Sequence, residues 1–302
     1  VRKLGCVTGV VVTASHNPKE YNGYKVYWDD GSQVIAPHDK NIISEVQKIT
    51  SLNMVARKEE KELESNGMIE WIGKEIDDAF IDEILKININ TEMLQDNDIK
   101  IVFTPLHGTG ATLIPEALNK LGFKNVLYVD EQMKADSSFS TVHKPNPEEK
   151  EALAMAIEKA KAEDADLVIA TDPDADRMGI AVKTGDDDFE VVSGNHIGSI
   201  MEHYMLTMMK EKGTLPVNGA LVKTIVTTPL QDRIAESFNL KVFNVLTGFK
   251  YIGQKIRNFE ADKDYTYVFG GEESYGYLTG IHARDKDAIA ATLMIAECCV
   301  YC

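Results

Sequence analysis

Two hydrophobic periods alternate along this chain. Short apolar, often β-branched runs bounded by polar turns occur at 7–13 (VTGVVVT), 24–28 (YKVYW), 33–35, 99–104 (IKIVFT), 126–129, 167–170, 220–226, 240–245 and 265–269. Each predicts a strand, the first of them buried, with Asp29-Asp30-Gly31 as a hairpin turn. Other stretches space their apolar residues three or four apart. Ile42, Ile43, Val46 and Ile49 make the stripe of one helix, with Pro37 in its first turn. Ile76, Phe80, Ile84 and Ile87 make that of a second, over 75–87. Further helices are expected over 111–121, 147–162, 197–211, 229–237 and 251–258, and from 286 onward.

From about residue 98 the two periods alternate as β-α-β-α-β, and the alternation is repeated after 190. This predicts an α/β fold of tandem three-layer domains with mixed, largely parallel sheets. Three regions follow: 1–90, 91–190 and 191–302. The run 57–67 (RKEEKELESNG) reads as charged surface. In such sheets ligands gather at the carboxyl ends of the strands.

Composition narrows the function classes. The chain has 302 residues, 44% hydrophobic, enough for several cores. Lys and Arg number 32 against 48 Asp and Glu, a net charge of −16, which argues against nucleic acid or an anionic membrane as partner. No run approaches the ~18 apolar residues of a membrane span. Cys298, Cys299 and Cys302 crowd one end, far from Cys6, a poor disulfide framework. A reducing, cytoplasmic compartment is expected. Cys299 and Cys302 can be read as a metal or redox pair, or as small apolar residues of one helix; without a second ligand pair the latter is preferred. Val1 leads almost directly into a strand, and AIAATLMIAECCVYC reads as a buried helix without a stop. The expectation is a piece of a longer protein.

Chemistry concentrates in loops that follow predicted strands. Thr13-Ala14-Ser15-His16-Asn17-Pro18 closes the first strand, so Ser15 is either a presented nucleophile or a loop serine satisfied by backbone. After strand 167–170 comes Thr171-Asp172-Pro173-Asp174-Ala175-Asp176-Arg177. Carboxylates at alternate positions of a turn need a cation or protons, and hard oxygen ligands suit Mg²⁺ or Ca²⁺. The calcium-hand pattern fails, since Arg177 and Lys183 stand where it requires Gly and Glu. Three later loops are Thr247-Gly248-Phe249-Lys250, Gly270-Gly271-Glu272-Glu273-Ser274-Tyr275-Gly276-Tyr277 and Arg284-Asp285-Lys286-Asp287-Ala288. The middle one is either a strand-end turn with solvated acids or a sugar site, since its acids and hydroxyls match a sugar's donors and acceptors. Asp285 or Asp287 can simply cap the following helix.

Taken together, TASHNP followed by EYNGYK, DPDADR after DLVIA, and then GFKYIG, GGEESYGY and RDKDA resemble the α-D-phosphohexomutases, the phosphoglucomutase and phosphomannomutase superfamily. The resemblance spans nearly the whole chain. It implies that Ser15 carries the transferable phosphate and that Asp172, Asp174 and Asp176 hold Mg²⁺, with a phosphate oxygen on Ser15 as a further ligand. It implies Arg177 beside that phosphate, Lys25 of NGYK as acid/base, and His16 bracing the loop or touching phosphate. Lys25 would need cationic surroundings to lower its pKa; read alone it is equally a strand-surface lysine. Glu272 and Ser274 match the positions that grip the hexose hydroxyls, with Gly248 and Lys286 beside them. His107 of LHGTG is either structural or an active-site contact. The implied activity interconverts glucose 1-phosphate and glucose 6-phosphate through glucose 1,6-bisphosphate, which also serves as activator. The form ESYGY favours glucose over mannose. A phosphatase and a non-catalytic sugar-phosphate binder are rivals, but neither needs all three motif sets. The superfamily's fourth-domain loop, R-x-S-G-T-E-P, does not occur here, so an incomplete first domain, two complete ones and almost no turnover are expected.

Overall fold

A computed structural model describes residues 1–185 and 188–302. Thr8–Thr13 (β1) and Gly23–Trp28 (β2) pair antiparallel, with Thr8 opposite Trp28 and Thr13 opposite Gly23. Residues 33–35 contribute one bridge, Tyr27 to Gln33, rather than a strand. The buried first strand is not found: Val7, Val10 and Val12 are 81%, 57% and 68% exposed. β-branched residues suit an extended ribbon whether or not a layer covers it. His38–Gln47 (α1), Glu60–Ser65 (α2) and Lys74–Leu85 (α3) follow. α2 lies in the charged stretch 57–67 and buries none of its residues.

The second sheet joins Ile101–Thr104 (β3), Val126–Tyr128 (β4), Leu167–Thr171 (β5), Met178–Gly185 (β6) and Asp188–Val191 (β7) in the order β4-β3-β5-β6-β7. β4, β3 and β5 are parallel, as the alternation predicts, whereas β6 and β7 return antiparallel. Gly110–Leu121 (α4) and Ala154–Ala162 (α5) flank it. The helix expected over 147–162 starts only at Ala154. Asn146 Oδ1 accepts the Glu148 N–H at 3.2 Å, a side-chain turn that competes with helix at this point.

The third sheet contains Gly219–Thr224 (β8), Lys241–Val245 (β9), Thr266–Glu272 (β10) and Gly276–Leu278 (β11), ordered β11-β10-β8-β9. β11 is its antiparallel member. Its helices are Gly194–Glu211 (α6), Leu230–Ser237 (α7), Phe249–Asp262 (α8) and Ala288–Tyr301 (α9). Asp287, not Asp285, caps α9, accepting from Ile289 N–H at 2.8 Å, so the helix starts two residues later than 286.

α9 is apolar on every side and buried from Ala288 to Cys298, which makes it central. Its Glu297 carboxylate is fully buried and accepts from Asn90 N–H at 2.7 Å, Asn88 Nδ2 at 2.6 Å, Ile89 N–H at 3.0 Å and Tyr204 hydroxyl at 2.7 Å. Segment 88–90, which leads from the first region into the second, is thereby tied to the last helix. Among the described residues no helix is long and apolar enough to cross a membrane.

A second buried acid gives the fold a pH dependence. Burial, then nearby Asp232, push Glu202 of α6 from 4.5 up to about 9, while Lys223 pulls it down. A carboxyl raised on folding gives its full stability below its unfolded value and loses it as pH climbs through the folded one. Glu202→Gln is therefore expected to raise Tm at pH 8 by roughly 2–4 °C, about 1 kcal/mol, and to leave it nearly unchanged near pH 4.5. Thermal unfolding at both pH values checks this; an equal shift at both contradicts it.

Candidate active site

The three chemical motifs all sit on turns of antiparallel hairpins. Ser15 lies in the connection from β1 to β2, the aspartates in that from β5 to β6, and Glu273 to Tyr275 in that from β10 to β11. Two of these turns are joined directly. Arg177 bridges to Gly276, and Met178 N–H donates to the Tyr275 carbonyl at 3.0 Å.

Ser15 has a left-handed backbone, φ 51°, sparsely populated for a residue with a side chain. Thr13 supports it. The Thr13 Oγ1 accepts the Ser15 N–H at 2.7 Å while its hydroxyl donates to Asp174 Oδ2 at 3.0 Å. The Ser15 hydroxyl donates to Asp172 Oδ2 at 3.0 Å and lies 3.3 Å from His16 Nδ1. Burial, then the cations Arg177 and Lys144, lower His16 to about 4, so its imidazole is neutral near pH 7.

Asp172 is completely buried and accepts the N–H groups of Asp176 and Arg177, each at 3.0 Å on Oδ1. These bonds shape the turn. One oxygen each from Asp172, Asp174 and Asp176 lie within 4.8 Å of one another. Burial, Asp176 and Asp174 raise the Asp172 carboxyl well above the usual range. Among the described residues Asp174 Oδ1 and Asp176 Oδ1 are buried without a hydrogen-bond partner. Three converging carboxylates, two of which carry an orphaned oxygen, fit a divalent cation.

Two lysines meet on Asp176. Lys25 of β2 reaches Oδ2 at 3.1 Å and Lys286, from the loop before α9, reaches it at 2.9 Å. Burial raises Asp176, but Lys286 and Lys25 outweigh it and hold the carboxyl low. The lowering that Lys25 would need in order to act first as a base is not found. Burial and Lys286 pull it down, yet Asp176, Asp285 and Asp174 prevail and raise it. Lys25 is a proton holder here. Lys286 is likewise raised: burial opposes its charge and Asp176 and Asp285 favour it. Gly276 makes room for it, since a Cβ there would meet Lys286 Cγ at 3.0 Å.

The sugar-type loop comes next to this cluster. Glu272 is buried, its carboxyl raised by burial against the pull of Lys286, and accepts the N–H of Gly248 at 3.0 Å. Gly248, φ 117°, caps α8. Glu273 instead turns inward, accepting the hydroxyls of Thr224 at 3.1 Å and Thr227 at 3.3 Å. The Ser274 carbonyl accepts from Arg177 Nη1 at 2.9 Å. Ser15, Lys25, the aspartates, Arg177, Lys286 and the Glu272–Ser274 loop are thus linked. His107 is not part of this network: it sits between the Lys134 carbonyl at 2.8 Å and the Thr141 hydroxyl at 2.7 Å. The cysteines are free.

Sequence reasoning missed four participants. Thr13 was visible only as the end of a strand, and Asp285 as a cap; its carboxylate accepts the Tyr27 hydroxyl at 2.8 Å. Glu148, 2.9 Å from Arg177 Nη1, lay in a stretch read as helix. Lys144 acts on His16 from the same loop. The only signal for the last two was the pair of prolines, Pro145 and Pro147, in KPNPEE, which marks a turn.

The chain is similar to known proteins along most of its length. Models of phosphoglucomutase/phosphomannomutase alpha/beta/alpha domains I, II and III match residues 1–53, 78–185 and 193–301 in order. The chain is 38% identical over 301 residues to a phosphoglucomutase of Staphylococcus haemolyticus, covering 98% of this chain and 52% of that protein. It spans about half the length of the curated relatives it matches. A phosphoglucomutase/phosphomannomutase family protein from Burkholderia thailandensis superposes with TM-score 0.71 at 18% identity, over 98% of this chain and 56% of that one. An N-acetylphosphoglucosamine mutase from Aspergillus fumigatus, in complex with GlcNAc-6P and magnesium, gives 0.62 at 14% identity, over 99% and 72%. These two likenesses concern the fold. With three domain models of one family matched in order over most of its length, the chain belongs to the phosphoglucomutase/phosphomannomutase family.

Proposed function

We propose that this chain carries the phosphoryl-transfer and sugar-binding parts of a phosphohexomutase that interconverts glucose 1-phosphate and glucose 6-phosphate through glucose 1,6-bisphosphate. One observation supports this above others: the Ser15 hydroxyl, 3.0 Å from Asp172, shares a cluster with a carboxylate triplet that Arg177 ties to the Glu272–Ser274 loop. A hydrolase has no need of that second loop.

Asp172, Asp174 and Asp176 would hold Mg²⁺, which when bound supplies charge neutralisation for a phosphate on Ser15. Ser15 is the phosphate carrier. In the first transfer the P–Oγ bond breaks and a P–O bond to the sugar forms; the return transfer from the bisphosphate runs the same exchange in reverse. The sugar hydroxyl loses a proton and the serine oxygen gains one, so a single shuttle balances both ends. Lys25 is our shuttle: its ammonium gives a proton to Ser15 Oγ as the P–Oγ bond breaks, and the amine so formed takes the proton of the sugar hydroxyl. Arg177 neutralises the moving phosphoryl group. Glu272 and Ser274 orient the hexose through its hydroxyls, and Gly248 holds Glu272 in place. His16 braces the serine as a neutral ring.

For the metal, Asp172→Asn, Asp174→Asn and Asp176→Asn are each expected to weaken Mg²⁺ at least tenfold, ~1.4 kcal/mol, by calorimetric titration. Unchanged affinity in all three removes the triplet from the mechanism.

For the chemistry, labelled glucose 1,6-bisphosphate is expected to place phosphate on Ser15, and Ser15→Ala to abolish labelling while leaving Tm within about a degree. The 302 residues contain no R-x-S-G-T-E-P clamp for the non-reacting phosphate. Remote anchoring orients the reacting oxygen, so net conversion of glucose 1-phosphate is expected to run at least tenfold slower than Ser15 labelling, ~1.4 kcal/mol of barrier. Comparable rates in a coupled assay would refute this account of the relay.

A further inference from the structure

Arg177 is held from two sides through one nitrogen. Its Nη1 donates to Glu148 Oε1 at 2.9 Å and to the Ser274 carbonyl at 2.9 Å. These are the side-chain hydrogen bonds that Arg177 makes among the described residues, and together they commit both hydrogens of Nη1. Nε is buried without a hydrogen-bond partner, 3.9 Å from Asp176 Oδ1. The opposite edge of the guanidinium, Nε and Nη2, thus keeps its donors uncommitted. That edge is the geometry that grips an anionic oxygen pair.

Glu148 is itself rigidly based. Asn146 Oδ1 accepts its N–H at 3.2 Å, and Asn146 is 4% exposed. Pro147 is packed on β6 so closely that a Cβ on Gly179 would come within 2.6 Å of the Pro147 carbonyl oxygen. Only glycine at 179 lets this loop approach the strand that follows the metal turn. A carboxylate on so fixed a base sets where Nη1 can be.

We propose that Glu148 is a positioning residue for phosphoryl transfer: it holds Arg177 by Nη1 so that the Nε–Nη2 edge faces the transferring phosphate, and so locks the metal turn to the sugar loop. This rests on the function proposed above. Removing the carboxylate has two separable effects. The guanidinium gains rotational freedom, which slows transfer. It also loses a negative neighbour at 2.9 Å, so it attracts an anion no less strongly. Slower turnover without weaker binding is the signature.

The test uses the 302-residue chain, its Glu148→Ala and Glu148→Gln variants, and each in an Arg177→Ala background. In ¹⁵N NMR, solvent exchange of the Arg177 Nε–H is expected to accelerate at least tenfold in Glu148→Ala. Ser15 labelling by glucose 1,6-bisphosphate is expected to slow at least tenfold in Glu148→Ala, and less in Glu148→Gln, which keeps an acceptor oxygen. Half-saturation should stay equal or fall, Mg²⁺ affinity should stay within twofold, and Arg177→Ala should show no additional slowing when Glu148 is also replaced. Unchanged Nε–H exchange overturns the positioning role whether or not the chain transfers phosphate. Equal slowing in the Arg177→Ala background, or a raised half-saturation, also overturns it. A wild-type chain that takes no label on Ser15, with the exchange accelerated as expected, overturns instead the function on which the catalytic consequence rests.

Discussion

The packing of Asp172, Asp174 and Asp176 on one turn is the constraint to which the rest of this structure answers. Like charges this close cannot all remain ionised in a buried site without compensation. The compensation comes from the whole chain. Lys25 arrives from the first ribbon, Lys286 from the loop before the last helix, and backbone N–H groups from the turn itself. The charge cluster therefore joins segments far apart in sequence, and its geometry depends on how those segments pack. Glu297 maintains that packing elsewhere, by pinning segment 88–90 to α9.

Using hairpin turns rather than strand-to-helix loops has a physical consequence. A turn between antiparallel strands is held at both ends by a hydrogen-bonded ladder, so its residues are positioned more rigidly than a loop anchored at one end. Thr171 faces Met178 across the metal turn, and Glu272 faces Gly276 across the sugar turn. The bridge from Arg177 to Gly276 then fastens the two ladders together. The left-handed residues Ser15, Ala175 and Tyr275, one in each of these turns, show that the backbone accepts unfavourable φ where the chemistry is placed.

The parts of this arrangement legible in the sequence are those written in local pattern. β3 and β5 are nearly continuous apolar runs, β8 opens on one, and the stripe of Phe80 and Ile84 marks α3. The aspartate turn and the GGEESYGY loop were legible as chemistry because carboxylates and glycines cluster there. The hairpin nature of both turns was not. β11 is Gly276–Leu278, too short for a periodic signal, and β6 runs out into Lys183, Thr184 and Gly185. Burial of the Val10–Val12 run was misjudged because β-branching reports extended backbone, while cover depends on what packs above it. Glu148 was unreadable for a related reason: an ion pair to Arg177 across 29 positions leaves no local trace. The sign of the Lys25 shift is not legible locally either, because Asp176, which raises it, lies 151 positions away.

The same charges decide what this site can accept. Its cations are Lys25, Lys286, Arg177 and Lys144, and each already faces a carboxylate: Asp176 for both of the first two, Glu148 for the third, Glu149 for the fourth. Against them stand the triplet, Glu148, Glu149, Glu272 and Asp285. A phosphate on Ser15 adds about −1.5 to −2 at neutral pH, so it enters a region already short of positive charge. Burial, and then the charges of Asp176 and Asp174, already raise the Asp172 carboxyl before any phosphate arrives. A proton on Asp172 relieves part of that shortage and leaves Asp176 ionised with its two lysines. A divalent cation among the three aspartates relieves the repulsion and leaves them ionised, so both lysines stay in place. A single proton on Asp172 offsets less charge than a phosphate on Ser15 adds, and a divalent cation offsets about all of it.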